Sequence, residues 1–181
     1  MGRQSLAMNQ PTHRSNRILL PARSWFITAT LLLALLLNLV PLGRLPFVPD
    51  WVALALIFWS IHQPLKVGMG TAFILGIAMD VGDASVMGQH ALAYVLLAFA
   101  GCGLSRRILW FPLLHQAAHI LPMLLGAQLV MLIARMIGGA EFPGLLWFAS
   151  SFVAAALWHP LTYLLLLPQY RPVERDDNRP I

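Results

Sequence analysis

Six apolar runs, separated by short connections each carrying proline, glycine or charged residues, leave few folds open to this chain. A bilayer core about 30 Å thick calls for about 20 apolar residues in a crossing helix, with about 17 tolerated. The runs cover roughly residues 25–41, 48–63, 67–81, 89–104, 115–137 and 144–167. Hydrophobic residues make up 59% of the chain and charged residues 10%, against roughly 25% charged in soluble domains, so the runs are not the cores of water-soluble units. The expected fold is an all-α integral membrane protein, a compact bundle of six transmembrane helices. Runs two to four are short for a span, so tilt, local thinning or burial among neighbours is expected there.

The formal charge of +5 does not indicate nucleic acid, because the basic residues lie between apolar runs rather than along one face. They read as topology signals. Arg3, Arg14, Arg17 and Arg23 precede the first run, and Lys66, Arg106 with Arg107, and Arg171, Arg175 and Arg179 occupy alternate connections. Cytoplasmic loops carry the excess of Lys and Arg, so these ten mark the inner side. Arg44 and Arg135 fall on the other side, with Asp50, Asp83 and Glu141. An even number of spans then puts both termini inside. Residues 1–23 are expected as a cytoplasmic tail, 24–168 as the membrane domain and 169–181 as a second tail. The first run lacks a small-residue cleavage site and reads as a retained anchor rather than a signal peptide. Cys102 is the only cysteine, so no disulfide can form within one chain. The decapeptide from Arg106 to His115 is too short to cross and is expected to lie along the inner interface.

Asp80 is the residue most in need of explanation. An intramembrane carboxylate costs about 2.5–3.5 kcal/mol on insertion scales and usually faces a partner or water. It lies 14 residues beyond Lys66, about 21 Å along a helix, in the outer half of the bilayer. His90 and Arg135 count to a similar depth, forming a candidate polar cluster with Asp80. An ion pair or a helix cap, a proton or substrate site, and simple interfacial exposure are the readings open. Gly68, Ala72 and Gly76 step back from Asp80 at four-residue intervals, a stripe of small side chains suited to helix packing or to docking a partner helix. Ser151, Ala155 and His159 repeat the spacing in the last run.

Other constellations are weaker. His115 and His119 share a helix face, as two metal ligands would, but no acid or cysteine accompanies them. His159 precedes Pro160 and is placed to serve a carbonyl that the proline leaves without a donor. Ser150 and Ser151 with His159 lack the nucleophile elbow of serine hydrolases. Trp59 and Trp158 lie deep enough to line a groove, and Gly101 and Gly103 fit close helix approach better than a phosphate loop. No catalytic, metal or cofactor site is expected.

The stretch Leu45, Pro46, Pro49, Asp50, Trp51, then Trp59 and Pro64, followed by FILGIAMD from Phe73 to Asp80 and MGQHALAY from Met87 to Tyr94, resembles the MreD family of rod shape-determining proteins. Pro46, Pro49, Asp50, Trp59, Gly76, Asp80 and Gly88 are its motif positions here, and the last two runs match in hydropathy alone. The resemblance implies a non-enzymatic, multi-pass protein of the bacterial inner membrane. Its implied partners are MreC, the MreB filament, and RodA with its transpeptidase, and no cofactor is implied. The family is also similar in hydropathy and predicted fold to substrate-binding subunits of vitamin transporters. That similarity implies an alternative, a small-molecule pocket where Asp80, His90 and Arg135 converge. An orphan membrane enzyme using Asp80 or His159 is a third reading.

Overall fold

A computed structural model describes residues 22–40 and 47–169. Six α-helices and no strands occur among the described residues: α1 (Ser24–Leu39), α2 (Trp51–His62), α3 (Met69–Gly82), α4 (Gln89–Leu109), α5 (Leu113–Ile137) and α6 (Ala149–Leu166). Single 3-10 turns, Leu145–Phe148 and Leu167–Gln169, extend α6 at its two ends. Pro41, Arg44, Leu45 and Pro46 lie outside the described residues, as do the arginines at 3, 14, 17, 171, 175 and 179 and most of both expected tails.

α2 organises the bundle. Its sequence is apolar on every side, the mark of a helix surrounded by protein, and Val52 to Ile61 are all buried. α1, α4 and α6 pack around it, and the chain closes the ring through the neighbouring pairs α3 with α4, α4 with α5 and α5 with α6. At 12 residues α2 is about 18 Å long, well short of a bilayer core. Enclosure removes the need to match lipid along its sides. Asp50 starts α2, accepting the Ala53 N–H at 2.9 Å, and Pro64 follows its end. α4, α5 and the continuous segment Leu145–Gln169 are long and apolar enough to cross a membrane, whereas α1 and α3 are shorter.

The outer surfaces carry large apolar residues, among them Leu33, Ile74, Phe99, Ile133 and Leu164. In water such a surface would aggregate, and in lipid it is solvated. At the end of the bundle carrying Lys66, the Trp59 indole N–H donates to Thr30 Oγ1 at 2.9 Å, joining α2 to α1. The Lys66 ammonium donates to the Ala22 carbonyl at 2.7 Å, and the Trp158 N–H reaches Gln116 Oε1 at 3.3 Å across α6 and α5. Both tryptophans are fully buried, so neither lines a groove. Nor is there a separate interfacial segment after Arg106. α4 continues through Leu109 and α5 begins at Leu113, because Pro112 needs only one turn to start the next helix. Trp110 alone stands far out of that turn.

Candidate functional site

At the opposite end, polar side chains from all six helices or their caps meet. Asp50 receives the Asn38 amide of α1 at 2.8 Å and the Tyr94 hydroxyl of α4 at 2.8 and 3.0 Å, besides the Ala53 N–H of its own helix. The Asn38 carbonyl oxygen in turn accepts the Trp51 N–H at 2.9 Å. One carboxylate thus caps α2 and fastens it to two neighbours.

Asp80, almost wholly buried near the end of α3, does the same for α4. Its oxygens accept the backbone N–H of Gly88 and His90, both at 2.8 Å, and more weakly that of Ala91 at 3.4 Å. The Ser85 hydroxyl donates to it at 3.1 Å, and His90 Nδ1 lies 2.9 Å away. A carboxylate only accepts, so Nδ1 carries the proton in this pair. The first amides of a helix have no partner within it and bear partial positive charge, which makes a buried carboxylate tolerable there. Gly88 takes φ +92°, the left-handed conformation that lets its N–H turn back toward Asp80.

Between α5 and α6, Gln128 completes the set. Its amide donates to Ser150 Oγ at 2.5 Å and to the Trp147 carbonyl at 3.2 Å, while its oxygen accepts the Ser151 hydroxyl at 2.6 Å. Asn38, Asp50, Asp83, His90, Gln128 and Ser150 all border one open cleft of about 200 Å³.

The expected cluster of Asp80, His90 and Arg135 needs correction. Asp80 and His90 are together, with Nδ1 2.9 Å from the carboxylate, but half-buried Arg135 makes no salt bridge among the described residues. α4 packs between α3 and α5, so equal depth does not bring Arg135 to the acid. The small residues of both stripes also face inward, while His159, which ends the second, does not. A Cβ at Gly76 would lie 2.5 Å from the Ala91 nitrogen, so α3 and α4 touch backbone to backbone there. Ala72 is fully buried, and Ser151 and Ala155 are buried as well. Only Gly68, half-buried at the start of α3, has open space where its side chain would be. A partner's helix cannot share residues already occupied within the chain.

No group of three or more His, Cys, Asp or Glu residues suited to a metal exists among the described residues. His115 and His119 instead stack on Phe111, and His119 Nδ1 bonds the His115 carbonyl at 2.8 Å. Ser150 and Ser151 are engaged with Gln128, while His159 faces outward on α6. Gly101 accommodates Ser60 across the α2–α4 contact, and Gly103 meets nothing.

The family model for the rod shape-determining protein MreD matches residues 17–168, most of the chain and every described helix. The chain belongs to the MreD family. A curated relative, the rod shape-determining protein MreD of Haemophilus influenzae, is 37% identical over 71 residues, which cover 38% of this chain and 44% of that protein. The chain therefore aligns with less than half of that relative's length. No solved structure matches. Membership makes rod-shape determination the role of this chain's family, which is not a known enzyme family.

The motif positions have defined places in this MreD fold. Pro49 and Asp50 open α2, Trp59 ties it to α1, Gly76 and Asp80 set α3 against the start of α4, and Gly88 opens α4. Asn38, Tyr94, Gln116 and Gln128 were not foreseen as site residues. Their signal was present: each is a polar or hydroxyl-bearing group inside an apolar run, where a missing hydrogen bond is expensive.

Proposed function

We propose that this chain is a six-span protein of the bacterial inner membrane, with both termini in the cytoplasm, that organises the wall-elongation machinery of rod-shaped growth without catalysing a reaction. It holds MreC and, with it, MreB and RodA with its transpeptidase. Family membership is the observation that carries this reading. The orientation is supported by charge, since Lys66, Arg106 and Arg107 sit at one end of the bundle and Asp50, Asp83 and His90 at the other. A scaffold role is supported by the polar cluster, whose carboxylates and serine hydroxyls are bonded across helices rather than poised for attack. MreC binds through lipid-facing surfaces, because the inward stripes are filled.

The vitamin-binding reading ranks second. Its cleft, about 200 Å³, falls below the roughly 300–1,000 Å³ of drug-sized ligand sites, and Arg135 does not border it. The deciding experiment expresses the chain in a rod-shaped bacterium depleted of its own MreD and purifies it in mild detergent. Restored rods and co-purified MreC are expected. Native mass spectrometry that finds a stoichiometric small molecule and no MreC overturns the scaffold reading.

A further inference from the structure

The lipid-facing side of α6 carries polarity that nothing among the described residues satisfies. Phe152, Ala156, His159, Pro160 and Tyr163 are all exposed along it. The segment Leu145–Gln169 is long and apolar enough to cross the bilayer, and residue 157 is its midpoint, so in a spanning α6 His159 lies about 3 Å from mid-membrane. A histidine facing hydrocarbon at that depth is costly, and such residues normally face protein or water.

Of the other described histidines, His62, His90 and His119 have hydrogen-bond partners, and His115 at the very start of α5 stacks on Phe111. His62 Nδ1 bonds the Phe58 carbonyl at 2.9 Å, and His119 bonds the carbonyl four residues back in the same way. His159 makes no such bond among the described residues and leans edge-on against Tyr163, with centroids 5.1 Å apart. Beside it, Pro160 has no N–H to give the Ala156 carbonyl. The nearby Thr162 hydroxyl does not replace it, because it donates to the Trp158 carbonyl at 2.7 Å. One exposed face therefore holds an unused ring N–H and an unused carbonyl, three residues apart. Helix carbonyls point toward the C-terminus, which brings the Ala156 oxygen close to the height of His159.

We propose that this face docks a second copy of the chain, the His159 ring of each protomer donating to the Ala156 carbonyl of the other. A two-fold axis along the membrane normal sets like residues at equal depth, so a donor and an acceptor at one height on one face are self-complementary. The low profile of Ala156 and Pro160 lets the two backbones approach, as small residues do at membrane helix pairs. Closure around this axis yields a dimer and satisfies both carbonyls and both rings.

The test is oxidative cross-linking of the full chain in native membranes, with Cys102→Ala as background and Ala156→Cys as probe. The expected product is a disulfide dimer of 40 kDa, twice the 20.0 kDa chain. Leu129→Cys, on the exposed side of α5, is the control and should remain monomeric. Adding His159→Leu removes the donor. Adding Pro160→Ala restores an N–H to the Ala156 carbonyl within its own helix and favours folding, so its effect cannot come from a damaged protein. Loss of two average membrane hydrogen bonds lowers association about sevenfold, read as fewer cross-links at limiting protein density. Cross-linking at position 156 no greater than at 129, cross-linking indifferent to Pro160→Ala, or a cross-link from 156 to a different protein overturns the proposal.

Discussion

Gly76→Ala is the most demanding single substitution for this structure. The added Cβ would meet the Ala91 nitrogen at 2.5 Å and the His90 carbonyl carbon at 2.8 Å, with only backbone as the obstacle. Ordinary carbon contacts are about 3.5–4.0 Å, so α3 and α4 must separate by roughly 1 Å at this point. Overpacking of this kind costs about 1–3 kcal/mol. The same separation stretches the Asp80 bonds to Gly88 and His90, now 2.8 Å each, and a weakened hydrogen bond to a charged group adds about 1.5–3 kcal/mol. A total loss of about 2.5–6 kcal/mol is expected, measured as unfolding free energy by SDS titration in mixed micelles. Gly126→Ala is the matched control. Its Cβ would enter open space, so it should change stability by less than about 0.5 kcal/mol. If both variants unfold at the same SDS fraction, the close α3–α4 contact is wrong, and with it the account of Asp80 as a cap on α4.

Two further predictions concern the polar end. Asp80→Asn removes the acceptor-only group that gathers the α4 amides and should destabilise by about 2–3 kcal/mol in the same assay, while Arg135→Gln combined with it should be additive within about 0.5 kcal/mol; a coupling above 1 kcal/mol would restore the ion pair between them. Tyr94→Phe deletes the hydroxyl that donates to Asp50 and should cost about 1–2 kcal/mol, whereas the same loss in an Asp50→Asn background should be smaller; equal losses in the two backgrounds would remove the Tyr94–Asp50 link.

Much of the architecture was legible because lipid demands long apolar helices, and those patterns survive without knowledge of neighbours. The runs from 115 and 144 correspond to α5 and to the segment carrying α6 within a few residues. What distance along a helix cannot convey is azimuth. Asp80, His90 and Arg135 share a depth, yet α4 stands between the acid and the arginine. Asp80 also bonds chiefly to backbone amides, which leave no mark in side-chain chemistry. The stripe at Gly68, Ala72 and Gly76 was visible as a surface of close approach, but its occupant, α4, follows from the tight turn at Gly88. The shortness of α2 was visible too. Its central position depends on which helices surround it, and that is a property of the assembled bundle.

The enclosure of α2 bears on how the protein is made. A 12-residue rod is too short for lipid to hold across the bilayer, and α6, one of its walls, begins about 90 residues after α2 ends. Until α6 has been synthesised, α2 lacks part of its shelter. Integration of the early part of the chain is therefore provisional, and the bundle locks only when its last segment arrives. Nascent chains arrested after α5 should leave a cysteine probe at position 55 open to a membrane-permeant thiol reagent, and release through α6 should close it.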